Sequence, residues 1–595
     1  MNVKTLQNRA KTLFATAKSS PLTLPIAGSI ALIAGGSVAF WALTRSNLTP
    51  GALPIGAAVI PQDSLLVLTV STDPGQWQQL RTFGSPTSQT AFDQQIAQIR
   101  DRFLTTNRLD YERDIQPWVG SDASFALLSP QEETRVISEN LSTPTPQPAV
   151  LILPIRDGIK AKELLEKSRK DSALTWTNRK YKGIDIQESQ GSDKTQTFSI
   201  TALDNQILVI ANSARSIDRT IDTYKGEKNN PSLAQTPGFT SALGQIQTGP
   251  SFAKLYLNLP EMTAVSLPSA PRKPTQNPTQ GWAMNAQLNN DGVKFSSLLW
   301  LRPDSDRKFT PQEATQTLPD RLPAETFMLI SGSNFKQFWT DYSRDYGTSP
   351  VKLLDPGSFK QEVRGALGMD FEQDFTNWMG GEFALSAVAA PSGSSPSSPV
   401  GLVLMVQASD RRAADRAFTQ IDDTMQRKYS FKIEPGKVGT QDVVNWTMGS
   451  GGINITRGWL DNNVAFITLG AAIAPTFVPK PSNAITRDGQ FQQVIPTQPT
   501  LKGGNFFVDL DRASSFKNVP LLRGLDALKA WSDAIKSIGV NTRVTGDRTT
   551  RYDAMVILKR GATPGVLPSP GASPSPSPSS SPTPKTSPSV PGQRK

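Results

Sequence analysis

Apolar and polar positions alternate between two periods along this chain. Leu66, Leu68 and Val70 recur every second residue, which predicts a strand with one face turned to the core. Phe92, Ile96, Ile99 and Phe103 recur at helical spacing, as do Ile217, Ile221 and Tyr224 behind Ser213, a good helix-capping residue. Ala414, Phe418, Ile421 and Met425 repeat that spacing after Ser409 or Asp410, and Leu521, Leu525, Leu528 and Ile535 predict a late helix. Apolar runs at 197–202 and 206–211, and at 453–456 and 464–469, are separated by short turns, which favours antiparallel pairing. Aperiodic stretches rich in Pro, Ser or Asn at 139–148, 264–280, 390–400 and 473–483 predict loops.

The pattern also repeats. LDYERDIQPWVG at 109–120 pairs with MDFEQDFTNWMG at 369–380, so that Asp110, Glu112, Asp114, Trp118 and Gly120 match Asp370, Glu372, Asp374, Trp378 and Gly380. Other echoes follow in the same order: AVLILP with VGLVLMV, Asp204-Asn205 with Asp461-Asn462, SFAKLYLNL with NFFVDL. The expectation is an α+β fold of two tandem related repeats, residues 50–303 and 318–560. Each would be an antiparallel sheet with helices on one face.

The two ends differ from this body. Residues 21–44 contain no charge, which is long enough to span a bilayer. Lys4, Arg9, Lys11 and Lys18 precede them and place the leader, residues 1–21, in the cytoplasm by the positive-inside rule. A transmembrane anchor at 22–44 is therefore expected, with the body periplasmic or thylakoid-lumenal. A cleavable signal peptide, cut near Ser37-Val38-Ala39, is the alternative. From 561 to 595 the chain is a Pro/Ser-rich tail expected to stay disordered.

Composition narrows the chemistry. The net charge is +11, but +5 lies in residues 1–45 and +3 in 561–595, leaving +3 over the body and no phosphate-binding footprint. The chain has neither histidine nor cysteine, which removes the commonest general base, thiolate nucleophiles and zinc–thiolate sites. No cofactor and no nucleic-acid partner is expected.

Three motifs offer candidate chemistry. Asp110, Glu112 and Asp114 have the 1-3-5 spacing of a calcium loop, but Ile115 and Ser121 stand where an EF-hand needs Gly and Glu, and Phe375 and Gly381 do so in the second block. The simpler reading makes Asp114 and Asp374 helix caps, Trp118 and Trp378 core residues, and Gly120 and Gly380 helix ends. Ser333-x-x-Lys336 and Ser514-x-x-Lys517 lack the further elements of Ser/Lys enzymes. Met448-Gly-Ser-Gly-Gly-Ile453 lacks the lysine of a phosphate loop and reads as a hairpin connection. No catalytic, cofactor or metal residue is assigned.

The basic leader, single span, doubled Asp-x-x-x-Trp-x-Gly block and strand–helix order resemble a cyanobacterial family of membrane-anchored proteins catalogued as a domain of unknown function. That resemblance, over roughly residues 50–560, implies an envelope or thylakoid-lumen location and carries no catalytic residue. The functional expectation is a non-catalytic, membrane-anchored binding or scaffold protein with an envelope protein or lipid as partner. The alternatives are a carrier of an apolar or lipid ligand between the repeats, and a carboxylate-dependent hydrolase.

Overall fold

A computed structural model describes residues 56–568 apart from 104–109, 131–146, 172–174, 191–196, 248, 267–277, 312–313, 347–353, 392–398, 449–453, 462, 496–502 and 517–532. The expected anchor at 22–44 lies outside the described residues. Among those described, no helix is long and apolar enough to cross a membrane.

The first half of the chain supplies β1 (Leu66–Ser71), β2 (Asp122–Leu127), β3 (Ala149–Pro154), β4 (Thr175–Tyr181), β5 (Ile184–Gln190), β6 (Thr197–Leu203), β7 (Ile207–Ala211), β8 (Ala253–Leu257), β9 (Thr279–Asn289) and β10 (Gly292–Leu301). The second supplies β11 (Thr326–Gly332), β12 (Phe383–Ala389), β13 (Val400–Gln407), β14 (Lys432–Val438), β15 (Gln441–Thr447), β16 (Asn454–Leu460), β17 (Val464–Gly470), β18 (Gly504–Asp509), β19 (Ile535–Gly546) and β20 (Thr549–Leu558). All neighbours pair antiparallel. From edge to edge the order is 4-5-6-7-3-2-1-8-9-10-20-19-18-11-12-13-17-16-15-14.

This overturns the expectation of two sheets, one per repeat. β10 pairs with β20 from Gly292↔Ile557 to Trp300↔Thr549, so a single 20-stranded sheet runs through both halves. Gly292 permits that close approach, since a Cβ there would overlap the Val556 carbonyl oxygen.

The expectation of helices on one face is also corrected. Leu68 and Val70 turn toward one cluster, which holds Trp77 and Leu80 of the Pro74–Arg81 helix, Phe335 and Trp339 of Phe335–Asp345, and Phe418 and Ile421 of Arg411–Tyr429. Val67 turns the other way, toward Ile217 and Ile221 of Ala214–Tyr224 and Phe239 and Leu243 of Phe239–Ile246. On that same side the second half has its own cluster, with Phe477 of Ala474–Phe477 and Phe491 of Gly489–Val494. The reason is burial on both sides. β1 is buried at five of its six positions and β11 at all seven, so period-two alternation revealed only one of two covered faces.

Local signals held where they were strong. Ser213 accepts from the Ser216 N–H and Asp410 from the Ala413 N–H, capping two of the helices whose spacing was legible. The late helix is corrected in part. Ile535 opens β19, while 521, 525 and 528 lie outside the described residues. The tail is corrected at its start: residues 561–568 lie along the sequence-predicted helix Pro86–Phe103. Gly561 N donates to the Thr82 carbonyl at 2.8 Å, Gln89 to Ala562 O at 2.9 Å, Arg81 to Gly565 O at 2.7 Å and Arg100 to Pro568 O at 2.6 Å. The remainder of the tail is outside the described residues.

Candidate functional site

The doubled acidic block forms a short π-helical turn in each half, Tyr111–Ile115 and Phe371–Thr376. Its caps are Asp110 and Asp370, not Asp114 and Asp374. Asp110 accepts from the Arg113 N–H at 2.9 Å, and Asp370 from those of Glu372 and Gln373 at 3.0 and 3.1 Å. Asp114 and Asp374 reach back instead, accepting the backbone N–H of Asp110 and Asp370 at 2.8 and 2.7 Å. Each end therefore satisfies donors reciprocally, in the manner of a capping box. The backbone N–H of Gln373 and the Arg364 guanidinium hold the Asp370 carboxyl below the usual carboxylate range.

Trp118 and Trp378 are buried and donate their indole N–H to the carbonyls of Asp114 and Asp374, at 2.8 and 3.0 Å. Gly120 and Gly380 do not end a helix. Gly120 N donates to Pro154 O at 2.9 Å, and a Cβ on Gly380 would meet Ser409 Oγ at 2.9 Å, so both mark close approaches of chain segments. Ile115 and Phe375, at the positions where a calcium loop needs glycine, are buried in the core.

Lys336 donates to Asn377 Oδ1 at 3.0 Å and Ser514 to Asp511 O at 2.8 Å. Lys517 is outside the described residues. The strands flanking 448–453 pair antiparallel, Trp446 opposite Ile455.

A pocket of about 560 Å³ opens where β8, β9 and β10 meet the turn before β1. Its apolar wall is proline: Pro61, Pro231, Pro237, Pro260 and Pro303. Its polar wall is mostly amide: Gln62, Asn229, Asn230, Asn258 and Gln280. Three carboxylates, Asp63, Glu261 and Asp304, and the Arg302 guanidinium complete it. Asn258 positions two of these segments, donating to Gln62 O at 3.2 Å and accepting from the Glu261 N–H at 3.3 Å. Asp63 is paired with the buried Arg219 at 2.6 Å, and Asp304 with Arg302 at 2.7 Å. The Arg302 guanidinium holds the Asp304 carboxyl below its usual range. Glu261 accepts the Ser129 hydroxyl at 3.2 Å. Sequence reasoning missed this pocket, because its residues come from six separated segments of the chain.

It also missed a polar row buried across the middle of the sheet. Register places Ser124, Thr69, Lys254, Asn285, Ser296, Asp553, Asn541, Asn505 and Ser331 opposite one another on nine successive strands. Thr69 and Ser124 hydroxyls are 2.8 Å apart, Asn541 donates to Asn505 at 2.8 Å, and Gln316 accepts from Ser331 and Asn505 at 2.6 and 3.2 Å. The row separates the two apolar clusters that share this face. The available signal was a polar residue set among apolar ones in each strand.

A model of a family of proteins of unknown function, DUF3352, matches residues 26–558. The chain belongs to this family. A cyanobacterial origin is not part of that match. No curated protein matches the sequence. Among solved structures, crystal forms III, IV and I of TP0453 are similar at 10–11% identity. They cover 43–46% of this chain and 82–84% of their own, with TM-scores of 0.22–0.23, a level that carries no argument about this DUF3352 member.

Proposed function

We propose that this protein is a non-catalytic binding or scaffold protein, tethered to a membrane by residues 22–44 with its body on the non-cytoplasmic side. The observation that carries the binding reading is the pocket beside β8 and β10, whose Asp63 and Asp304 are already ion-paired. A general acid or base works best with its pKa near the operating pH, and Asp304 is held the other way. The fixed pairs suit holding a ligand rather than moving a proton. An apolar carrier site between the halves has less support, because the junction of β10 and β20 is closed by strand pairing.

The tether rests on the charge-free segment and the basic residues before it. Protease added to intact spheroplasts is expected to remove almost all of the chain, and protection of the body would overturn the orientation. Purification from native membranes followed by mass spectrometry of bound material tests the binding reading. A preparation carrying no protein, lipid or small molecule would count against it.

A further inference from the structure

We infer that the pocket beside β8 and β10 takes a neutral, hydroxyl-rich ligand of the saccharide class, an inference that rests on the binding reading above. Its volume of about 560 Å³ falls in the ~300–1,000 Å³ range of small-ligand sites. The chemistry of its walls selects among ligands.

An amide side chain both donates and accepts, and so does a hydroxyl. Vicinal hydroxyls therefore match a wall such as that made by Gln62, Asn230 and Gln280 better than a cation, which only donates, or an anion, which only accepts. The charges point the same way. Arg219 already compensates Asp63 and Arg302 compensates Asp304, so little attraction is left for a polycation. An anion would face three carboxylates. Prolines supply rigid C–H surface at low ordering cost, which suits the apolar faces of sugar rings.

The side chain that spans this turn differs from the one at its counterpart in the other half. The turn before β1 is bridged to the chain after the Ala214–Tyr224 helix through Pro61 and Ser232, as Pro323 is bridged to Ala484 before β11. At the second turn Arg512 spans the gap, donating to Ala324 O at 2.5 Å and approaching Asp488 at 3.4 Å. At the first, the smaller Asn258 makes the link to Gln62 O. An amide stands at the pocket's turn where a guanidinium spans the counterpart.

The test is calorimetric titration of the full chain in detergent with maltotetraose, cellotetraose and chitotetraose, and with tetralysine as the cationic probe. At least one tetrasaccharide is expected to bind. Asn230→Trp, which fills the pocket, should abolish that binding, and Gln280→Leu should weaken it about tenfold, one hydrogen bond's worth. Thermal melts of each variant verify folding. Binding of tetralysine alone, lost in Glu261→Gln, would overturn the saccharide class and leave the binding reading standing. Saccharide binding indifferent to Asn230→Trp would overturn the site. Absence of binding by every probe would overturn the inference, and the native-membrane preparation would then decide the broader reading separately.

Discussion

The hydroxyl of Ser296 on β10 donates to Asp553 Oδ1 on β20 at 2.9 Å, across the one strand pair that joins the two halves of the sheet. Arg551 grips the same carboxylate at 2.7 and 2.9 Å, and Arg543 lies 3.3 Å away. A charge so placed fixes register, because a one-residue slip would turn it to the other face.

Removing this carboxylate strands two guanidiniums beside a largely buried site. Asp553→Ala should cost about 3 kcal/mol, near the lower end for breaking a buried pair, whereas Ser296→Ala should cost about 1 kcal/mol. Urea denaturation of both variants and the double variant measures the coupling. Additive losses would mean that the seam is not held by this contact.

The same group predicts a pH dependence. Burial alone would raise the Asp553 carboxyl, but Arg551, Ser296 and Arg543 outweigh it and hold the carboxyl below the usual range. Its contribution is therefore present above the unfolded value of about 3.9 and is lost as pH falls through the lower folded value. The stability gap between the native chain and Asp553→Asn should shrink below about pH 4. A gap unchanged down to pH 2 would contradict the pairing.

Lys254 and Asp122 are two opposite charges buried in the sheet, each within the electrostatic influence of the other. Burial pushes the Lys254 amine down while Asp122 opposes it, and burial pushes the Asp122 carboxyl up while Lys254 opposes it. Lys254→Met alone leaves a buried carboxylate and should cost about 3–5 kcal/mol. Lys254→Met combined with Asp122→Leu should recover most of that loss. Chemical denaturation of the single and double variants checks the order, and a double variant weaker than the single would refute it.

The acidic turns should behave as structure. Asp110→Ala or Asp370→Ala should cost about 0.5–2 kcal/mol as lost caps. Trp118→Ala or Trp378→Ala should cost about 3–5 kcal/mol, because both rings are buried. Calcium should leave the melting temperature unchanged, since a ligand bound only to the folded state must raise it. A calcium-dependent rise that disappears in Asp110→Ala would convert the turn into an ion site.

Truncation after Arg560 should deprive Arg81, Gln89 and Arg100 of the backbone carbonyls they now hold. Hydrogen exchange over residues 86–103 should then speed up while β20 stays protected. Unchanged exchange there would show that the 561–568 segment contributes nothing to holding the helix.

The sequence by itself determined what is local. Capping at Ser213 and Asp410, the helical spacing behind them and the antiparallel hairpins depend on neighbours in the chain, and they were legible there. Trp118 and Trp378 could be placed in the core because a large apolar ring has few alternatives. Only the tertiary structure decided how many faces the sheet buries, that β10 meets β20, and that Asp110 rather than Asp114 caps its turn. The capping choice depends on which of two nearby carboxylates faces the free N–H groups, a matter of local geometry that residue type leaves open. The pocket and the polar row were illegible for a further reason. Thr69, Lys254 and Asn285 are polar residues in separate strands, and they form a line only once register, fixed by burial on both faces, sets them side by side.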